Sequence, residues 1–211
     1  MLDRHLVPHL RTPLGRLARL VHARGIGADA VSVAGFAVGL AAVAAVAVDL
    51  PLLALALLLV NRLADGVDGE LARIAGPTDA GAFLDISLDF VFYALFPVGF
   101  ALADPAANAL PAAVLVASFV GTGASFLAFA AQAERHGITH PDFGHKGLYY
   151  LDGLAEGTET IACFVLMCLL PGAFVAIAWT FAAICAITAL NRVVSGYRTL
   201  RVAASGKDHQ S

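Results

Sequence analysis

The sequence contains 211 residues, of which 59% are hydrophobic and only 14% are charged. A soluble domain carries about 25% charged residues, and the mean hydropathy here is +0.80, so the composition excludes an ordinary soluble protein. The formal net charge is −3, and the placement of the charges is more informative than their sum. The composition predicts an all-α integral membrane protein with no nucleic-acid partner.

Residues 1–24 form the first predicted element, a helix that lies on the membrane surface instead of crossing it. Thr12 and Pro13 are typical of a helix N-cap and first turn. Leucines and Val21 then form an apolar stripe, while arginines take other positions. Such a helix would lie among the headgroups with its arginines near anionic lipid. The alternative is an amphipathic helix packed on the rest of the protein.

Six apolar segments follow, each long enough to cross a membrane, since about 20 helical residues span the hydrocarbon core. Glycine, proline and aspartate mark the turns between them. The predicted spans cover residues 29–49, 51–74, 79–103, 110–133, 147–170 and 172–201. We therefore expect a six-span domain over residues 25–203, preceded by the surface helix and followed by a short cytoplasmic tail at 204–211.

Lysine and arginine predict the orientation of these spans. They precede span one, end span two, flank the loop between spans four and five, and follow span six. The other three connections contain neither residue. Because short loops rich in Lys and Arg favour the cytoplasmic side, we expect both termini in the cytoplasm, in a protein of the bacterial inner membrane.

Four aspartates interrupt the second and third predicted spans: Asp65, Asp68, Asp85 and Asp89. The members of each pair are three or four residues apart, so they share a helical face. At about 1.5 Å per residue, Asp85 and Asp89 lie roughly 9–15 Å from the cytoplasmic surface, and the other pair reaches the same depth. Carboxylates in hydrocarbon mark functional sites, and hard oxygen ligands suit Mg2+ or Mn2+. The sequence predicts a metal site just inside the membrane.

A second acidic face occurs in the fifth predicted span. Asp152, Glu156 and Glu159 are four and three residues apart, so they share one side of a helix at a depth that matches the aspartates. They would line an acceptor pocket, bind a further cation or pair with an arginine. Lys146 and Arg192 lie where they could surround the mouth of the same cavity, although anchoring on the cytoplasmic side also accounts for their charge.

The aspartate pairs belong to a longer pattern. It reads Asp65-x-x-Asp68-Gly69-x-x-Ala72-Arg73, followed by Gly81-x-x-x-Asp85-x-x-x-Asp89. This pattern resembles the signature of the CDP-alcohol phosphotransferase family, also described as class-I CDP-alcohol phosphatidyltransferases, which are membrane enzymes that make phospholipids. The predicted spans and the N-terminal helix extend the resemblance over nearly the whole chain. The segment from Arg73 to Gly81 is one residue shorter than is usual in the family, which affects the turn at Gly76-Pro77 more than the aspartates.

The resemblance implies a role for each aspartate. Asp65, Asp68 and Asp85 would hold two divalent ions, Mg2+ or Mn2+. Asp89 would lie at the edge of the same metal site and would also act as general base on the incoming hydroxyl.

The resemblance also implies a nucleotide site. Gly69, Arg73 and Thr78 would contact the CDP moiety, and Ala72 and Gly81 would leave it room. Asp29 and Ser32 stand where the family often has an Asn-x-x-Thr pair that contacts the nucleotide, and this match is loose.

The implied reaction transfers a substituted phosphate group from a CDP-linked lipid, foremost CDP-diacylglycerol, to the hydroxyl of a small alcohol and releases CMP. Transfer of a CDP-linked head group to diacylglycerol is the alternative within the family. A divalent-cation transporter is the alternative from another class, because carboxylates in a membrane also suit permeation. The sequence does not determine which alcohol is the acceptor. The acid-rich face of span five favours an acceptor without a phosphate.

Gly35-x-x-x-Gly39 in the first predicted span permits close helix packing. It would serve either a homodimer or packing within the chain.

Overall fold

A computed structural model describes residues 3–135, 155 and 157–207 of the chain. Over these residues the fold contains helices and no strands. The α-helices are α1 (Asp3–His22), α2 (Ala28–Ala47), α3 (Pro51–Ala75), α4 (Asp79–Ala103), α5 (Pro105–Arg135), α6 (Gly157–Leu169) and α7 (Phe174–Lys207), and a short 3-10 helix at Pro171–Ala173 precedes α7. Helix α2 packs on α3 and α4, α4 packs on α5, and α5 packs on α7.

Four segments of the described chain are long and apolar enough to cross a membrane. They are Ala28–Ala47, Asp79–Ala103, Pro105–Arg135 and Pro171–Val202. Their length and composition, together with the hydropathy of the whole sequence, establish an all-helical integral membrane protein. Helix α3 lacks such a window because it carries Arg62 and several acidic residues, and the described part of α6 is only 13 residues long.

The predicted turns around α3 agree with the structure. Asp49 has a φ of 59° between α2 and α3, and Gly76 has a φ of 95° between α3 and α4. Such left-handed conformations end a helix, and glycine adopts them without steric cost. Helix α5 begins at Pro105, five residues before the start of the fourth predicted span. Asp104 caps this earlier turn, because its Oδ1 accepts a hydrogen bond from the Ala107 amide at 3.1 Å.

Helix α1 also begins earlier than predicted. It starts at Asp3, so Thr12 and Pro13 lie inside the helix and do not begin it. Ala18 is fully buried against Val67 and Leu71 of α3. One face of α1 therefore packs on the protein, as in the alternative interpretation of this segment, while Leu17 and Leu20 on α1 are exposed.

Small residues bring α2 close to α3 and α4. A Cβ added at Gly35 would lie 2.8 Å from the Cβ of Ala64, and one at Gly39 would lie 2.9 Å from the Phe92 ring. Both glycines are buried within the chain. The Gly35-x-x-x-Gly39 pair thus serves packing inside one molecule.

An aromatic core lies beyond the aspartates along α4. Phe96 stacks on Phe164 of α6 with ring centroids 4.4 Å apart, and Phe100 stacks on Phe174 at 4.5 Å. All four rings are buried. Because aromatic packing of this kind tolerates little movement, it fixes α4 and hence the position of Asp85 and Asp89, which lie about three and two turns before Phe96.

Candidate functional site

The four aspartates line one narrow cavity between α2, α3 and α4, with a volume of about 20 Å³. We call it the aspartate cavity. Its polar wall consists of Asp65, Asp68, Asp85, Asp89, Ser32, Asn61 and Arg62. The i, i+3 and i, i+4 spacings turn each pair toward the facing helix. The structure therefore brings together the two pairs that the sequence singled out.

The carboxylates of this cavity differ in their exposure. Asp68 is 5% exposed, and its Oδ2 accepts a hydrogen bond of 2.6 Å from the hydroxyl of Ser32 on α2. The side chains of Asp65 and Asp89 are 36% and 30% exposed. Asp68 is therefore the most deeply buried of the four carboxylates, and Asp85 is the most exposed.

Arg62 lies inside the same cavity, and the sequence prediction did not pair it with the aspartates. One terminal nitrogen of its guanidinium lies 2.9 Å from Asp89 Oδ1, and the other lies 3.5 Å from Asp65 Oδ1. The hydroxyl of Tyr93 accepts from Arg62 at 3.3 Å and donates to Asp89 Oδ2 at 3.4 Å. A lone arginine in the middle of a span was the available signal, since such a charge normally points into a functional cavity.

The donor set of the aspartate cavity fits a divalent ion. Four carboxylates are hard oxygen ligands of the kind that Mg2+ and Mn2+ prefer. As placed, however, no three acidic, histidine or cysteine side chains in the described part of the chain are close enough together to hold an ion. Coordination would require the carboxylates to turn toward a common point.

A second, wider cavity of about 370 Å³ adjoins the aspartate cavity, and we call it the wide cavity. Ser32, Asp68 and Asp85 belong to the walls of both cavities. The wide cavity is also lined by five other predicted nucleotide-site residues, namely Asp29, Gly69, Ala72, Thr78 and Gly81. Its volume lies in the range of about 300–1,000 Å³ that is usual for small-molecule sites.

Two glycines shape the wide cavity in different ways. A Cβ added at Gly69 would have no other atom within 4 Å, so the missing side chain leaves open space. A Cβ at Gly81 would lie 3.0 Å from Thr78 Oγ1 and 3.1 Å from Asp29 Oδ1. Thr78 has a further role that the sequence prediction missed, because its hydroxyl caps α4 by accepting from the Gly81 amide at 3.0 Å.

Arg73 does not lie in the wall of the wide cavity, although the sequence prediction assigned it to the nucleotide. Its guanidinium pairs with the Glu70 carboxylate one turn earlier, and 55% of the side chain is exposed. Arg73 follows Ala72 directly, so it points about 100° away around the helix from a residue that does line the cavity. A direct contact with a nucleotide would require it to leave Glu70.

The predicted acceptor residues are only partly covered by the structure. Glu159 lies half-buried in the first turn of α6. Arg192 on α7 donates to the backbone carbonyl of Thr122 at 3.3 Å and lies over the Phe126 ring at 5.6 Å, so it contacts α5. Three others, Lys146, Asp152 and Glu156, lie outside the described residues.

The start of α6 lies close to the aspartate cavity. A Cβ added at Gly157 would be 3.8 Å from the hydroxyl of Tyr93, which is bonded to Asp89. The first turn of α6 is therefore near the group with the predicted role of general base.

Comparison with known proteins agrees with this geometry. The family model described as CDP-alcohol phosphatidyltransferase matches residues 26–191, which include both cavities. The chain belongs to the CDP-alcohol phosphatidyltransferase family. It is thus a transferase of substituted phosphate groups in phospholipid biosynthesis, and this assignment favours an enzyme over the divalent-cation transporter.

Two individual proteins are similar to this family member. The inner membrane protein YnjF of Escherichia coli is 53% identical over 201 residues, which are 95% of this chain and 98% of the relative. A crystal structure of the phosphatidylinositol phosphate synthase of Mycobacterium tuberculosis with CDP-DAG bound matches with a TM-score of 0.65. It is 19% identical and covers 87% of this chain and 93% of that chain, so it shows a shared fold.

Proposed function

We propose that this transferase moves a phosphatidyl group from CDP-diacylglycerol to the hydroxyl of a small alcohol and releases CMP. The meeting of the two cavities at Ser32, Asp68 and Asp85 carries the proposal. A cytidine nucleotide in the wide cavity would place its pyrophosphate at these shared residues, directly beside the other aspartates. The presence of CDP-DAG in the similarly folded synthase supports a lipid-linked donor.

The wide cavity would bind the nucleotide mainly through its shape. Gly69 and Ala72 allow the ligand to approach the backbone of α3, because neither adds a long side chain to the wall. Asp29 and Thr78 supply polar groups on the opposite side of the cavity. Arg73 is exposed near this region and offers guanidinium donors that suit phosphate oxygens.

Asp89 would accept the proton of the alcohol as its oxygen attacks the phosphorus that carries the diacylglycerol group. The new O–P bond forms while the bond from that phosphorus to the bridging oxygen breaks, and CMP leaves with the electron pair. The exposure of Asp89 allows the alcohol to reach it. Arg62 and Tyr93 hold the two oxygens of the carboxylate.

The remaining carboxylates would bind two divalent ions, Mg2+ or Mn2+. Asp65, Asp68 and Asp85 would be the ligands, with Asp89 at the edge of the site. When bound, such ions neutralise the pyrophosphate and make its phosphorus more electrophilic. The support for this assignment is the chemistry of the donor set and its position beside the wide cavity.

The membrane arrangement that suits this function has six spans, with the interfacial helix 1–24, the transferase domain 25–203 and the tail 204–211. Helix α3 has 25 residues and is roughly 37 Å long at 1.5 Å per residue, enough to cross the hydrocarbon core. Its polar residues face the aspartate cavity, which explains how a charged helix can cross. With both termini in the cytoplasm, the cavities open to the side where CDP-linked donors and alcohols meet.

The proposal is tested with purified protein, CDP-diacylglycerol, Mg2+ or Mn2+ and a panel of alcohols. CMP release that requires both metal and one class of alcohol is expected, with an acceptor that lacks a phosphate. CMP release only from a CDP-linked head group in the presence of diacylglycerol would replace this function with the alternative inside the family. Absence of CMP release with every donor would reject the proposal.

A further inference from the structure

Arg62 is a charged side chain in the middle of α3, and only 15% of it is exposed. It lies in the wall of the aspartate cavity together with the four carboxylates. A buried guanidinium is stable only where acceptors and negative charge surround it. The position of Arg62 is therefore set by the groups of this cavity.

The guanidinium is held in place from several directions. Its Nε donates to Asn61 Oδ1 at 2.8 Å, and Asn61 is itself fixed because its Nδ2 donates to the Gly35 carbonyl on α2 at 2.9 Å. The carbon at the centre of the guanidinium lies 5.2 Å from the centroid of the Phe92 ring. Hydrogen bonds at its edge and an aromatic ring at its face orient the group toward the aspartates.

The terminal nitrogens of Arg62 bridge two carboxylates of different helices. One contacts Asp89 on α4 at 2.9 Å, and the other lies 3.5 Å from Asp65 on α3. Divalent ions shared by α3 and α4 would use Asp65 as a ligand, together with Asp68 and Asp85, and would have Asp89 at the edge of their site. The arginine and such ions therefore draw on overlapping sets of acceptors.

Space leads to the same conclusion. The volume of the aspartate cavity, about 20 Å³, is little more than the roughly 10–15 Å³ that one water-sized probe needs. Two ions with their ligands need more room than this. Movement of a side chain in the wall would supply room, and Arg62 is the long side chain that lies between Asp65 and Asp89.

We propose that Arg62 acts as a resident cation of the aspartate cavity and competes with divalent ions for Asp65 and Asp89. The guanidinium must leave its bridging position between these two carboxylates when the ions bind. This inference rests on the metal site in the proposed function. Arg62 holds the carboxylates together against their mutual repulsion and weakens metal binding until the guanidinium moves away. It acts through Asp65 and Asp89 and is a positioning residue.

The direction in which metal affinity changes when Arg62 is removed distinguishes this role from a purely structural one. An arginine that only supports the fold would, when removed, loosen the site and weaken metal binding. A competing cation would, when removed, strengthen it, because one positive charge and one set of hydrogen bonds to the ligands disappear.

The test measures binding of Mn2+ alone to purified, chelator-treated protein by calorimetric titration, without nucleotide or lipid. Arg62→Gln should lower the Kd for Mn2+ by at least about tenfold, since a charge in contact with the ligands is removed. Arg198→Gln is the matched control, because it removes the same charge from α7 at a residue that does not line the aspartate cavity. Its Kd should equal that of the wild type.

Thermal unfolding provides a second measurement. In chelator, Arg62→Gln should unfold at a lower temperature than the wild type, and saturating Mn2+ should raise its Tm by more than that of the wild type. If Arg62→Gln does not fold, Arg62→Met replaces it, because methionine keeps a long unbranched side chain, removes the charge and should also give a lower Kd for Mn2+.

An unchanged or higher Kd in the folded variants would overturn the role of Arg62, as would the absence of Mn2+ binding to both wild type and variants. The CMP-release assay on the wild type separates this result from the proposed function. CMP release with an unchanged Kd in Arg62→Gln rejects the resident cation alone. Absence of CMP release rejects the proposed function, while the Mn2+ comparison still decides the role of Arg62.

Discussion

The aspartate cavity and the wide cavity share three wall residues but differ in how they are built. The first has a volume of about 20 Å³ and a wall of charged and amide side chains that contact one another. The second has a volume of about 370 Å³ and a wall rich in glycine and alanine. The aspartate cavity is formed by polar side chains that contact one another. The wide cavity exists because its glycines and alanines leave the space unfilled.

Helix α3 contributes to both cavities within about three turns. Asp65 and Arg62 face the aspartate cavity, whereas Gly69 and Ala72 face the wide cavity, and Asp68 lies between them. We therefore expect substitutions in the aspartate cavity to act on the rate of the chemical step and substitutions in the wide cavity to act on donor binding. The following experiments test this division, starting with the largest expected effect.

Asp89→Asn should reduce kcat by about 1,000-fold, because a positioned general base contributes about 10²–10⁴-fold. Binding of CDP should stay close to that of the wild type, since Asp89 does not line the wide cavity. Asp79→Asn is the control, as it makes the same change in the first turn of the same helix outside both cavities. Steady-state CMP release and CDP titration measure the two quantities, and a kcat near the wild-type value would remove Asp89 from the role of base.

Gly69→Leu should raise the KM for the CDP-linked donor by about thirtyfold or more, because the new side chain fills space that the ligand needs. The Tm should not fall, since an added Cβ meets no atom within 4 Å and leucine favours a helix over glycine. Gly66→Leu on the same helix is the contrasting variant. Its Cβ would lie 2.8 Å from the side chain of Leu14 on α1, so its Tm should fall while the donor KM changes little.

An unchanged donor KM in Gly69→Leu would show that the nucleotide does not occupy the wide cavity. Equal Tm values for the two glycine variants would contradict the close packing of α1 on α3.

Ser32→Ala tests the boundary between the two cavities. The change removes the 2.6 Å hydrogen bond to Asp68, and a hydrogen bond to a charged group contributes about 1.5–3 kcal/mol. We expect kcat/KM for the donor to fall by about tenfold, with contributions from both kcat and KM. Ser118→Ala on α5 is the control, because that hydroxyl donates to the Leu115 carbonyl of its own helix at 2.7 Å and lines neither cavity. A full wild-type kcat/KM in Ser32→Ala would show that Asp68 does not need this partner.

Glu159→Gln is expected to have the smallest effect, a change in acceptor KM of about threefold, as for the loss of one exposed or half-buried hydrogen bond. The donor KM should stay constant, because the first turn of α6 lies near Tyr93 and not beside the wide cavity. Kinetics with varied acceptor at saturating donor measure the change. If donor KM shifts and acceptor KM does not, α6 is on the wrong side of the site for an acceptor pocket.

Much of the fold follows from local features of the sequence. The turn at Gly76 was predictable because glycine reaches its φ of 95° without strain. Helix α5 begins before the predicted membrane span, because hydropathy marks where a helix enters hydrocarbon, whereas Asp104 caps the helix before that point. Similarly, α1 extends past Thr12 toward the N-terminus, so a local capping signal did not decide where the helix begins.

The site shows the same division between local and tertiary information. Spacing alone determined that Asp65 and Asp68 share a face, as do Asp85 and Asp89, since helical geometry relates i to i+3 and i+4 whatever the surroundings. The family resemblance implied a nucleotide site next to these carboxylates. Only the tertiary structure decided that Arg62 lies between Asp65 and Asp89 and that Arg73 pairs with Glu70 away from the wide cavity. A long arginine side chain can reach acceptors on several neighbouring helices, so the way the helices pack determines which acceptor it contacts.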